Sequence, residues 1–88
     1  AGPISVDPDS CQFLLCTYVS PMRAGTPLTL GLCRTIRRPT PESAPTDAKA
    51  SCLYPNSSRG VAEMMKRGFN NGIVLDAIGN VAETCSSN

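Results

Sequence analysis

Asn70-Asn71-Gly72-Ile73-Val74-Leu75-Asp76-Ala77-Ile78-Gly79-Asn80-Val81-Ala82-Glu83-Thr84-Cys85 is the stretch on which the fold turns. Within and just beyond it, Asp76, Asn80, Glu83 and Ser87 fall at helical spacing and leave Val74, Leu75, Ile78, Ala82 and Cys85 on the other face. A hairpin turning at Gly79-Asn80 competes with this helix. It would set Asp76 opposite Glu83, and like charges facing each other across a ladder repel. The charge argument favours a helix, with Asn70-Asn71-Gly72 as the left-handed break that ends the preceding one.

That preceding helix has the clearest pattern in the chain. After a cap at Ser57 or Ser58, Val61, Met64, Met65 and Gly68 or Phe69 form an apolar stripe, and Glu63 stands four residues before Arg67 in the favourable orientation. The two segments together predict an antiparallel helix pair with Cys85 on its buried side.

Working towards the N-terminus, Pro39-Thr40-Pro41-Glu42-Ser43-Ala44-Pro45 (residues 39–45) cannot continue a helix or sit in a central strand and reads as a surface loop. Thr46 to Tyr54 is long enough for two helical turns before Pro55. Thr26-Pro27 resembles an N-cap followed by proline at the first helical position; Leu28, Leu32 and Ile36 then repeat every four residues, and Arg34, Arg37 and Arg38 fall in the expected last turn before Pro39. Leu28, Leu30 and Leu32 also alternate as a strand does, but the start and stop signals favour a helix. Asp9 offers a cap to a short helix through Phe13 and Val19, with a strand over Phe13 to Val19 as the competing reading, and residues 1–8 form an extended arm. The expected fold is all-α: one domain over residues 1–88, a disulfide-stapled bundle of about four short helices. An α+β fold with a hairpin in the N-terminal half is the alternative.

Composition narrows the function. The chain has 88 residues and a formal charge of +1, too small a charge to mark a nucleic-acid partner. No run of eighteen apolar residues spans a membrane. Five cysteines, Cys11, Cys16, Cys33, Cys52 and Cys85, lack zinc-site spacing, and no histidine is present to share a metal. They read as disulfide candidates and so imply an oxidising compartment, secreted or periplasmic. The odd cysteine offers a disulfide-linked dimer, and the pairing of the others stays open. Ala1-Gly2-Pro3 is compatible with the remnant of a cleaved leader. Asn56-Ser57-Ser58 is a formal glycosylation sequon at Asn56.

Catalytic signals are few. Without histidine the commonest general base is absent, and no nucleophile elbow, zinc-protease motif, P-loop or dinucleotide turn occurs, so no enzyme activity and no cofactor are expected. Paired-carboxylate chemistry would need two of Asp7, Asp9, Glu42, Asp47, Glu63, Asp76 and Glu83 in one cleft, and these read as solvated charges at caps, in the proline-rich loop or on polar helix faces. Arg34, Arg37 and Arg38 form a candidate binding cluster for an acidic protein partner or a phosphate, against the plainer reading of a dipole-matched helix end. Met64, Met65 and Phe69 are candidates for an apolar pocket, against the plainer reading of core.

Cys11-Gln12-Phe13-Leu14-Leu15-Cys16, followed by a third cysteine and then Cys52-Leu53-Tyr54-Pro55 before a helix, resembles the TrbM family of periplasmic conjugative-transfer proteins. The ending, Gly72 to Asp76 through Cys85-Ser86-Ser87-Asn88, resembles the terminal helix of elicitins, the secreted all-helical sterol-binding elicitors of oomycetes. Both resemblances imply a helical, disulfide-linked, non-catalytic protein outside the cytoplasm. The expectation is therefore a small exported protein acting by binding a protein partner: a secreted effector, elicitor or toxin. The alternatives are a periplasmic component of a conjugation or secretion apparatus, and a carrier of a small apolar ligand such as a sterol or lipid.

Overall fold

A computed structural model describes residues 4–22 and 25–88. The expectations resting on Ala1-Gly2-Pro3, and on residues 23 and 24 of the loop before Gly25, lie outside the described residues. Strand β1 (Leu30–Leu32) leads through a loop and a 3-10 turn (Ser51–Leu53) into helix α1 (Tyr54–Lys66), followed by strands β2 (Asn71–Leu75) and β3 (Val81–Thr84). The three strands form one sheet in the order β1-β2-β3, with β1 parallel and β3 antiparallel to β2. A parallel pair needs a crossover, and α1 lies on it. The expected all-α bundle is therefore corrected to a mixed sheet with one α-helix. The hairpin lies in the C-terminal third rather than the N-terminal half.

The charge argument against that hairpin fails on register. Val74 pairs with Glu83 and Leu75 with Val81, with an irregularity between them, so Asp76 never faces Glu83. Asp76 instead begins the turn: its Oδ1 accepts the backbone N–H of Ile78 at 3.0 Å and of Asn80 at 2.9 Å. Those donors, the Asn80 N–H foremost, hold its carboxyl below the usual aspartate range. Gly79 closes the turn with φ +94°, in the left-handed region where glycine carries no Cβ clash.

The other elements shift for similarly local reasons. Pro55 opens α1, in its first turn where a missing N–H costs nothing, rather than ending a helix before it. The helix ends at Lys66, and Gly68, with φ +85°, turns the chain just beyond it, before the Asn-Asn-Gly stretch. Asn70 acts as a clamp: its Oδ1 accepts the Thr29 N–H at 2.9 Å and its own N–H donates to Thr29 O at 3.0 Å, tying the entrances of β1 and β2 together. The leucine alternation at 28–32 is the strand reading that start and stop signals had outweighed. Leu30 and Leu32 are about half exposed, while Gly31 and Cys33 are buried towards α1. The helix expected after Asp9 is absent. Asp7 accepts the Asp9 N–H at 3.0 Å, and residues 11–22 carry no regular secondary structure. So short a helix has little stability without a partner to pack on.

Glu63 holds the bend after β1. Its carboxylate accepts the Thr35 hydroxyl at 2.6 Å, the Arg34 and Thr35 N–H groups at 2.8 to 3.1 Å, and Arg67 at 3.0 Å, the expected i,i+4 pair. The Thr35 hydroxyl foremost, then the two backbone donors and Arg67, bring its pKa down from 4.5 to about 2. A depressed folded-state pKa means stability that is complete above the unfolded value and lost as pH falls through the folded one. We expect the melting temperature to fall between about pH 4.5 and 2, and Glu63→Gln to lower it at neutral pH while flattening that acid limb. Melting curves of both proteins across the acid range check this.

The core is small: Cys33, Ile36, Met64, Val74 and Cys85 are buried, with Val61 and Phe69 packed against them. Close approach of helix and sheet depends on Gly72, where a Cβ would overlap Cys33 Sγ and stand 2.7 Å from Met64 Cγ. Gly72→Ala is expected to cost about 1–3 kcal/mol by overpacking, read as a lower midpoint in urea.

The five cysteines form no disulfide, which corrects the staple expectation. Cys33 and Cys85 come closest, Sγ to Sγ 3.3 Å. Both donate backbone N–H groups to β2, Cys33 to Ile73 O and Cys85 to Gly72 O, from its opposite sides. Burial first, then the Cys85 thiol, raises the Cys33 pKa well above its ordinary value, so this is a thiol contact packed over a glycine.

Much apolar surface stays open. Phe13, Leu14, Leu15, Tyr18 and Val19 are all at least 76% exposed. The accessible area of 7460 Å² compares with about 5000 Å² for a compact monomer of this mass. The radius of gyration is 16.3 Å, against about 12 Å for a compact chain of this length.

Candidate functional site

A cleft of about 530 Å³ opens between the turn at 46–49, the first turn of α1 and the end of β3. That size is ordinary for a small-molecule site. Lys49 reaches its wall from the turn, Tyr54, Asn56 and Ser57 from the start of α1, and Glu83, Thr84, Ser86 and Ser87 from β3 and its exit. The chain has two lysines, Lys49 and Lys66; Lys49 lines this cleft and Lys66 does not. One amine, Lys49, and two carboxylates, Asp47 and Glu83, thus share a single concave wall; Asp47 is exposed beside Lys49 on the turn, and Glu83 is the one held by an arginine.

Local bonding fixes the wall. Thr84 Oγ1 donates to Ser87 O at 2.6 Å and accepts the Ser87 N–H at 2.9 Å, closing the chain after β3 and turning Cys85 inwards. Asn71, the one buried polar side chain among the described residues, donates to Ser86 Oγ at 2.7 Å and accepts the Gly72 N–H at 2.8 Å. Glu83 receives Arg38 Nη1 at 2.8 Å on Oε1, while its Oε2 accepts nothing from the described residues.

Among the residues singled out from sequence, the three arginines diverge. Arg34 uses its backbone N–H on Glu63, Arg37 Nη1 donates to Asp76 O at 2.9 Å, and Arg38 turns to Glu83. Arg37 and Arg38 line the cleft and Arg34 does not. Met64 is fully buried, Met65 is 68% exposed and Phe69 packs on the core, so the three share no pocket wall. Asn56 sits in the first turn of α1 and accepts Arg59 Nη2 at 2.9 Å. Cys11, Cys16 and Cys52 are exposed and unpaired with one another, and Cys85 lines the cleft. Lys49 and Glu83 are the residues that sequence reasoning missed. The scarcity of lysine was the available signal for the first, and Glu83 was read as a solvated charge on a helix.

No protein-family model and no curated protein matches the chain. Among solved structures it is similar to an aminotransferase from Brucella abortus bound to the cofactor PLP, with 44% identity, a TM-score of 0.75 and 81% of this chain covered. The match takes in 25% of that structure's length, so the chain spans about a quarter of it. This likeness overturns the expectation of a non-catalytic binding protein, whether effector, elicitor, toxin, transfer-apparatus component or lipid carrier, and points to an enzyme-related chain. A helical bundle and a disulfide framework fall with it.

Proposed function

We propose that this chain contributes the lysine and glutamate wall of the cofactor site in a pyridoxal-phosphate-dependent aminotransferase. The observation that carries the reading is the cleft that joins Lys49 and Glu83 in a chain 44% identical to a PLP-bound aminotransferase. Pyridoxal phosphate needs an amine to hold it covalently and an ionic partner for its pyridine nitrogen. Lys49 supplies the ε-amine, Glu83 the carboxylate with one oxygen uncommitted, and Tyr54 adds a phenol donor on the same wall. The donor set therefore fits the group. When bound, the cofactor supplies an electron sink for the carbon that loses its proton.

The chain's own residues bind and orient. Glu83, held by Arg38, would set its carboxylate against the ring nitrogen and favour a proton there. Lys49, after holding the cofactor, has the amine that moves a proton at the substrate carbon. Arg38 is committed to Glu83, while Arg37, whose one bond goes to the neutral Asp76 O, keeps its charge in the cleft.

The test is amino transfer by the full-length protein. With pyridoxal phosphate, an amino acid donor and a 2-oxo acid acceptor, donor loss and product gain are expected to match one for one and to depend on the cofactor. Tight cofactor uptake with no transfer from any donor in a broad panel would reject the aminotransferase reading.

A further inference from the structure

One guanidinium connects both functional groups of the cleft. Arg38 Nη1 donates to Glu83 Oε1 at 2.8 Å, and Nη2 of the same side chain donates to Thr46 O at 3.2 Å, in the turn that carries Lys49 three residues later. Arg38 is itself anchored, because its backbone N–H donates to Leu75 O at 2.8 Å at the end of β2. The sheet, the glutamate strand and the lysine turn therefore meet at a single planar fork. The charge pair is about a third exposed on both sides, so screening leaves it a modest stabiliser, and its geometry is the more informative feature.

We propose that Arg38 is a positioning residue that sets the Glu83 carboxylate against the cofactor's ring nitrogen and holds the Lys49 turn in register with it. This rests on the cofactor reading above. By occupying Oε1, Arg38 leaves Oε2 as the oxygen for the ring nitrogen. Lysine at this position would retain the charge but could not reach two acceptors in one plane.

The experiment compares wild type, Arg38→Met, Arg38→Lys, Glu83→Gln and the Arg38→Met/Glu83→Gln double variant in the full-length protein. It reads cofactor affinity and the pH midpoint of the bound cofactor's visible absorption, with melting curves alongside. Arg38→Met is expected to weaken affinity roughly tenfold, the worth of one charge-assisted hydrogen bond, and to move the absorption midpoint. Arg38→Lys should fall between it and wild type, and should serve in its place if Arg38→Met does not fold. Added to Glu83→Gln, the Arg38 change should move the midpoint no further. Variants that lower the melting temperature but keep wild-type affinity and midpoint would overturn the proposal, as would full additivity with Glu83→Gln. Wild-type protein that takes up no cofactor would overturn the underlying cofactor reading and this one with it.

Discussion

Lys49→Ala is expected to abolish covalent capture of pyridoxal phosphate and to lower amino transfer by at least about three orders of magnitude, or about 4 kcal/mol of barrier. The size follows from the two tasks assigned to one amine, holding the cofactor and moving the proton at the substrate carbon. Lys49 is exposed on a turn and contributes no buried contact, so the melting temperature of the cofactor-free protein should barely change. Lys66→Ala, at the last residue of α1 and away from the cleft, should leave transfer intact. Transfer rates and absorption spectra of the two variants check the pair. Loss of activity in Lys66→Ala with Lys49→Ala active would reverse the assignment.

Met64→Ala carries the largest expected structural effect. Met64 is fully buried beneath the sheet, and its atoms, with Phe69 at Gly31 and Cys33 at Gly72, fill the space that a side chain at either glycine would need. Truncation removes transfer energy and leaves a cavity, at a typical cost of 2–5 kcal/mol. With only five buried apolar side chains in the described core, little else is available to close the gap. Urea denaturation of the cofactor-free protein should show a lower midpoint with an unchanged slope. A midpoint within error of wild type would mean that Met64 is not the centre of the core.

Local signals were read correctly for the body of α1 but not for its start, which lies at Tyr54 rather than after a cap at Ser57 or Ser58, nor for the segment after Asp9, where no helix forms. α1 was legible in the expected stripe of Val61, Met64, Met65 and Gly68 or Phe69, of which Val61 and Met64 face the core from the helix, Phe69 packs on it from beyond the helix end and Met65 is exposed; the Glu63–Arg67 pair stands as its spacing implied. The strand signals, the leucine alternation at 28–32 and the hairpin at Gly79-Asn80, were visible but outweighed, because the parallel pairing of Leu30–Leu32 with Asn71–Ile73 that decides for them spans a separation that no local window sees. The decisive error was treating the hairpin as a plain ladder. The irregularity after Val74 moves Asp76 into the turn, where its charge accepts backbone donors, and leaves Glu83 opposite Val74 and within reach of Arg38.

The site was hidden for the same reason. Glu83 at helical spacing from Asp76 and Asn80 looked like one more solvated carboxylate, and only the strand turns it to the cleft wall. Lys49 lay next to the proline-rich connection and carried no motif, while the cysteines drew attention to a disulfide framework. Their density has a different physical basis for at least two of them. Cys33 and Cys85 fill a narrow space above Gly72 as small apolar groups, a common use of buried thiols. Arg34, Arg37 and Arg38 were noticed together because they are neighbours in sequence, yet each serves a different acceptor.

The most direct test of the central claim is to treat the full-length protein with pyridoxal phosphate, reduce it with borohydride, digest it and map the added mass. The account predicts one cofactor per chain, on the peptide carrying Lys49 and absent from the one carrying Lys66. Reduction that fixes the cofactor to Lys66 or to a lysine elsewhere in the polypeptide, or fixes none, would contradict it.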